Sequence, residues 1–300
     1  MTPTMQLDGV RLPDGRWAQL WQGGAADGPT VFFFHGCPDT RLAACTGDRA
    51  AKEVGVRLVA VSRPGYGASD PLARSLTSVA DDTVAVANSL EIDRFVGLGM
   101  SVGGQYALAT AARHPDRVVS VGVVATPAVV PELAPPCHRD DLDAEQREFF
   151  AQLARCSVTD AVELMRPGFE KFVAEVDPLD PDDQELSRRW IAQLPPGDVA
   201  ALAGSTDAEL AQSAREALIN SDGYLGDAAV AFRSWDVRPE GVTCPTWLWY
   251  GECDDNVSVR NGQWFADHLS RASLVVRAGS THLATLVEHW DEILTALRDA

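Results

Sequence analysis

Three things are missing from this 300-residue sequence, and each absence removes a class of protein. The first is a long apolar run: the longest, Val118 to Val130, is broken by Ser120, Gly122, Thr126 and Pro127. It falls short of the roughly 20 residues that a spanning helix needs, so no membrane partner is expected. The second is a basic excess. The formal net charge is -18, whereas binding a nucleic acid draws on clustered Lys and Arg that release counterions. Nucleic-acid partners are therefore not expected, and the acidity reads as a solvated surface that keeps the protein dissolved. The third is a cysteine motif. The cysteines at 37, 45, 137, 156, 244 and 253 form no C-x-x-C pair and have no histidine at metal-ligand spacing. No metal is expected, and a reduced thiol pool explains them better than a disulfide frame. Residues Met1 to Val10 also lack the basic start and apolar core of a signal peptide, which makes the cytoplasm the expected compartment.

What is present is an ordinary globular composition, 46% hydrophobic and 23% charged, on a chain long enough for one large core or for one core plus a smaller accessory domain. Apolar runs rich in β-branched and aromatic residues recur at Val31 to Phe34, Arg57 to Val61, Phe95 to Gly99, Val118 to Ala125, Thr246 to Tyr250 and Leu274 to Arg277. Helices are expected between or after them at Asp48 to Val54, Ser78 to Leu90, Val102 to Arg113, Val259 to Leu269 and Leu283 to Arg298. Alternation of this kind builds a mostly parallel sheet covered on both faces. Ahead of it, Met5 to Val10 and Arg16 to Trp21 flank Leu12-Pro13-Asp14-Gly15, which predicts an antiparallel hairpin at a sheet edge.

The rhythm stops between about Ala128 and Arg238. Helical segments at Ala144 to Arg155, Thr159 to Met165, Asp182 to Gln193 and Ala208 to Asn220 follow the opening Pro131-Glu132-Leu133-Ala134-Pro135-Pro136. The expected organisation is a core in two parts, residues 1–127 and 239–300, with a helical lid at 128–238 inserted after the sixth strand. Bulky residues of that segment, among them Phe149, Phe150, Leu153, Leu164, Met165, Phe169, Phe172, Trp190 and Leu194, are expected mostly to pack its helices together.

One motif carries chemistry. Gly99-Met100-Ser101-Val102-Gly103 has the form G-x-S-x-G and joins a predicted strand directly to a predicted helix. A serine at the tip of so sharp a turn takes a strained backbone, and only small residues two before and two after it let the chain pass. In that context Ser101 resembles the nucleophile of the α/β-hydrolase superfamily. Two further loops share the resemblance: Phe34-His35-Gly36-Cys37-Pro38 is similar to the family's HG-x-P loop after the third strand, and Arg63-Pro64-Gly65-Tyr66-Gly67-Ala68-Ser69 to its R-P-G-Y-G-x-S loop after the fourth. The resemblance spans nearly the whole chain outside the lid and implies the α/β-hydrolase fold with eight strands.

A serine hydroxyl needs a base, and the base needs an orienting group. The resemblance implies an acid and then a histidine late in the chain. Gly251-Glu252-Cys253-Asp254 matches the family's G-x-x-D and points to Asp254, with the adjacent Asp255 as competitor; Ala278-Gly279-Ser280-Thr281-His282, beyond the final strand, points to His282. By the same resemblance the oxyanion hole is made by the backbone N–H groups of Val102 and Cys37. Among the other histidines, His35 is expected to tie its loop down, His114 to end a helix, and His268 and His289 to lie within helices, while His138 in the lid is a candidate substrate contact.

Such a site implies a small-molecule substrate and no cofactor. The nucleophile is serine, not the aspartate of the family's dehalogenases and epoxide hydrolases. His35-Gly36-Cys37-Pro38-Asp39 departs from the H-G-G-P-G of proline iminopeptidases, which counts against aminopeptidase activity. The expectation is hydrolysis of a small to medium, fairly apolar ester, thioester or lactone through an acyl-serine. Gly103-Gly104 keeps carbon–carbon bond hydrolysis, or a lyase or cyclase reaction, as the alternative, with a non-catalytic binding protein behind it. Homo-oligomerisation is left open.

Overall fold

The computed structural model describes residues 8–133, 140 and 142–300. Its chain starts with a hairpin, β1 (Gly9–Arg11) and β2 (Trp17–Gly24), whose register pairs Arg11 with Trp17 across a turn closed by Gly15 N donating to Leu12 O at 2.9 Å. There follow β3 (Thr30–Phe34), α1 (Asp48–Val54), β4 (Arg57–Val61), α2 (Leu76–Ser89), β5 (Phe95–Met100), α3 (Val102–Arg113) and β6 (Val118–Val124). The eight-stranded sheet runs in the order β1-β2-β4-β3-β5-β6-β7-β8, antiparallel at β1–β2 and β2–β4 and parallel from there on. Here β7 is Thr246–Gly251 and β8 is Ala272–Arg277, joined by α10 (Val259–His268); α11 (Ala284–Val287) and α12 (Trp290–Arg298) close the chain. This is the α/β-hydrolase fold. Because β3 to β8 point the same way, their carboxyl ends share one edge, where open α/β sheets hold their ligands.

The period of two along each strand deals side chains alternately to two cores. In β3, Phe32 and Phe34 join Val79, Tyr106 and Phe265 on one face, while Val31 and Phe33 join Ala51, Trp290 and Leu294 on the other. Phe33 packs its ring 5.3 Å from that of Trp290, whose indole N–H donates to Thr46 Oγ1 at 3.0 Å. The helix expected as one piece over Leu283 to Arg298 is broken at His289, which has non-helical backbone angles. The break lets Leu286 and Trp290 enter the same core from two short helices.

Between β6 and β7 come α4 (Ala144–Arg155), α5 (Val158–Val176), α6 (Asp183–Ile191), α7 (Pro196–Ala201), α8 (Asp207–Leu218) and α9 (Ser221–Ala231). They build a third core of their own, with Leu153, Met165, Phe169, Leu186, Leu218 and Leu225 buried and Phe150, Leu164, Phe172 and Trp190 packed against them. Three features depart from expectation. Helix α5 does not end at Met165 but passes through Pro167. The missing N–H weakens one turn, yet Ala161, Met165, Phe169 and Val176 keep one buried stripe on both sides of it. Helices α7 and α9 lie within the expected helical insertion but outside the four segments named for it. In α9, Gly223, Leu225, Asp227, Ala228, Ala229 and Ala231 are all buried, so it has no apolar stripe to announce it. Among the described residues no helix is long and apolar enough to cross a membrane.

Candidate active site

Ser101 stands between β5 and α3 with φ 53° and ψ -131°, a backbone that L-residues rarely adopt. Its neighbours explain how the strain is held. A Cβ on Gly99 would lie 2.4 Å from Gly104 Cα, and one on Gly103 would lie 2.0 Å from Phe34 O; any side chain at either position would push the turn apart. Ser101 N donates to Val124 O at 2.8 Å, which stitches the elbow to the end of β6. Helix α3 starts at Val102, so its unpaired first-turn N–H groups face the serine.

The loops after β7 and β8 run side by side, with Glu252 N donating to Arg277 O at 2.9 Å and Cys253 N to Ser280 O at 3.0 Å. This zipper presents Asp254 to His282. Asp254 Oδ1 accepts from the N–H groups of Asn256 and Val257, both at 2.8 Å, and its Oδ2 accepts from His282 Nδ1 at 2.7 Å. Both side chains are buried, whereas Asp255 is exposed. Burial alone would push the His282 imidazole down, but the Asp254 charge and hydrogen bond, joined by the Asp198 charge, carry it above its ordinary value. With Nδ1 committed to Asp254, Nε2 is the atom left for proton transfer. The structure thus joins Asp254 to His282 directly and sets Ser101 on the same sheet edge; among the described residues no hydrogen bond links the Ser101 hydroxyl to His282.

The loop of Cys37 lies against the serine: a methyl on Gly36 would sit 3.6 Å from Ser101 Cβ. His35 anchors it. Its Nε2 accepts from Arg63 N at 3.1 Å, so Nδ1 must carry the proton that it donates to Gly36 O at 2.8 Å. Burial, with the Arg63 charge, holds this imidazole neutral, well below its ordinary value. Arg63 completes the anchor by donating to His35 O at 2.6 Å and Gly36 O at 2.7 Å. The thiol of Cys37 accepts from Tyr66 OH at 3.3 Å, and burial, with the Asp227 charge, pushes it up to about 12. It stays a thiol at neutral pH, so only the Cys37 backbone is available for catalysis.

Arg63 leads to residues that the sequence did not single out. Asp227, on α9 and 0% exposed, receives Arg63 Nη2 at 2.5 Å, Arg74 Nη1 at 2.7 Å and Tyr106 OH at 2.8 Å. Burial would push its carboxyl up, but the two guanidinium groups hold it well below the usual carboxylate range. Arg74 also donates to the carbonyls of Pro64, Asp222 and Gly223. The helical segment is thereby fastened to the loop behind the serine. Removing one partner of such a buried pair costs about 3 to 5 kcal/mol, because the other charge is left uncompensated. Positions 63, 74 and 227 are too far apart in sequence for any spacing rule to connect them.

Two of the remaining histidines have local partners. His114 ends α3 and meets Asp81 Oδ1 at 2.8 Å; His268, the last residue of α10, donates from Nδ1 to Trp264 O at 2.7 Å and stacks on that ring. His289 lies between α11 and α12, outside the helix expected for it. His138 and Cys137 lie outside the described residues, and the other five cysteines are free thiols. Among the described residues no three His, Cys, Asp or Glu side chains gather as a metal site would require.

Comparison with known proteins bears on the family and the fold. The family model described as "Alpha/beta hydrolase family" matches residues 14–296. A pimeloyl-(acyl-carrier protein) methyl ester esterase from Chromobacterium violaceum is 27% identical over 278 residues, covering 91% of this chain and 94% of that protein. Among solved structures, an alpha/beta hydrolase fold protein from Nakamurella multipartita is 25% identical, with 97% and 98% of the two chains covered and a TM-score of 0.63. A thermophilic esterase from Thermogutta terrifontis shares the fold with a TM-score of 0.65 at 19% identity, covering 97% of each chain.

Proposed function

We propose that this chain, which belongs to the alpha/beta hydrolase family, is a serine hydrolase that cleaves a small to medium, fairly apolar ester, thioester or lactone. The observation that carries the reading is the 2.7 Å bond from His282 Nδ1 to Asp254 Oδ2, held at the sheet edge where Ser101 stands on its strained turn. His282 Nε2 takes the hydroxyl proton of Ser101 as Oγ attacks the acyl carbon, and Asp254 stabilises the imidazolium that forms. The carbonyl oxygen, now negative, is met by the N–H groups of Val102 and Cys37, each such donor contributing on the order of 100- to 1,000-fold in rate. His282 then returns the proton to the leaving group, and water repeats the sequence on the acyl-serine. No metal or cofactor enters.

In this reading residues 128–238 are a lid over the site. The separate core of α4 to α9 and the fastening of α9 to Arg63 support it. The methyl ester esterase among its relatives favours ester over amide chemistry, and the free cysteines fit a reducing compartment such as the cytoplasm. A panel of p-nitrophenyl esters, thioesters and lactones, run with a fluorophosphonate probe, tests the proposal. Ser101→Ala should lose probe labelling and about a million-fold in kcat; activity retained in that variant overturns the acyl-serine.

A further inference from the structure

We propose that Asp198, delivered by α7 from the helical segment, is a positioning residue for His282: it ties down the residues on either side of the imidazole and presents a second negative charge to it. The inference rests on the hydrolase reading above for its catalytic meaning, though not for its geometry. Asp198 is 1% exposed, and its Oδ1 accepts from Thr281 Oγ1 at 2.6 Å and from Leu283 N at 2.8 Å. Those two residues flank His282. The helix that carries it presses on the same loop, since a Cβ on Gly197 would lie 2.5 Å from Thr281 Cγ2.

The second carboxylate oxygen is the telling atom. Among the described residues Asp198 Oδ2 has no hydrogen-bond partner, and no salt bridge of Asp198 is present. A buried anion left half satisfied and without a cation is costly. The charged groups that bear on His282 are Asp254 from the β7 loop and Asp198 from α7; its own loop adds only Ser280, Thr281 and Leu283. When Ser101 gives its proton to His282 Nε2 and the Oγ–carbon bond forms, the imidazolium supplies the positive charge that Asp198 otherwise lacks. The resting state carries that cost and the transition state relieves it, which is the direction that accelerates a reaction.

The test uses the full chain and NMR titration of His282, its signal assigned by loss in His282→Gln. Asp198→Asn keeps the shape and removes the charge; its His282 midpoint should fall by about one pH unit, the size expected of one nearby charge. In ester hydrolysis the acid limb of kcat/KM should move down with it, and kcat should drop about 10- to 100-fold with KM nearly unchanged. Thr281→Val keeps the charge and loosens the loop, so it should lower kcat and leave the midpoint in place. A folded Asp198→Asn protein with the wild-type midpoint overturns the proposal. Should that variant not fold, wild-type kcat in Thr281→Val overturns it. A lowered midpoint in a protein that cleaves none of the esters leaves Asp198 assigned and removes the hydrolase reading instead.

Discussion

Two aspartates descend from the helical segment to the sheet edge, and they end in opposite surroundings. Asp227 reaches the side of the His35–Cys37 loop and is met by two guanidinium groups and a phenol; Asp198 reaches the histidine side and is met by a hydroxyl and one backbone N–H. Both are buried. The first has its charge cancelled on the spot, so it behaves as a fastening whose loss is felt by the fold. The second keeps an uncancelled charge beside a group that titrates, so its loss should be felt by the chemistry. Burial alone does not assign a role to a carboxylate; the sign and distance of its neighbours do.

The contrast breaks first on stability. Asp227→Ala should cost about 3 to 5 kcal/mol or prevent folding, since Arg63 and Arg74 would stay buried without their counter-charge. Asp198→Asn should stay within about 1 kcal/mol of the wild type, since weaker bonds from Thr281 and Leu283 are offset by the loss of an uncompensated buried charge. Urea melts at pH 7 measure both; equal losses would mean that the two anchors do the same job.

The pH dependence of stability sharpens it at a smaller scale. His35 is held neutral, so its contribution is complete above its unfolded value near 6.5 and fades as pH falls below that, by up to about 1.4 kcal/mol per pH unit. His282 is shifted the other way: its contribution is complete below about 6.5 and fades as pH rises through its higher folded value. Burial also raises the Asp39 carboxyl to about 7, so its contribution fades as pH rises toward 7 and opposes the His35 arm; in melts between pH 5.5 and 8 each histidine is therefore read as the difference between the wild type and its variant. His282→Gln should reduce the fall above about pH 6.5 and leave the acid side unchanged; if it changes the acid side instead, the two environments have been assigned the wrong way round.

The smallest effect belongs to Cys37. In the proposed mechanism its backbone N–H meets the oxyanion, while its thiol, pushed up to about 12, has no part. Cys37→Ser should hold activity within about threefold, and thiol alkylation at pH 7 should leave the wild type active. Rapid inactivation of the wild type, absent in the serine variant, would give the thiol a role.

Much of this was legible in residue order because it is decided by neighbours in the chain. Arg57–Val61 and Val102–Arg113 are found at the ends that the sequence predicts; β-branched residues declare the one, and Gly103 with a terminal His114-Pro115 the other. Helix α5 runs past Pro167 because a buried stripe outweighs a propensity rule, and α9 escapes the pattern because its buried residues, glycine, alanine and an aspartate with one leucine, mark no apolar stripe. The choice between Asp254 and Asp255 was legible only through the family's count from Gly251; what separates them in space is which carboxylate the β7 and β8 loops turn toward His282.

By itself, then, the sequence determined the order of strands and helices and the elbow at Ser101, since backbone sterics and side-chain periodicity act within a few residues. Only the tertiary structure decided that Arg63 finds Asp227, 164 positions away, and that Asp198 comes to rest beside Thr281 and Leu283, 83 and 85 positions away. A buried charge is stabilised by whatever lies within a few ångströms of it, and distance along the chain says nothing about that.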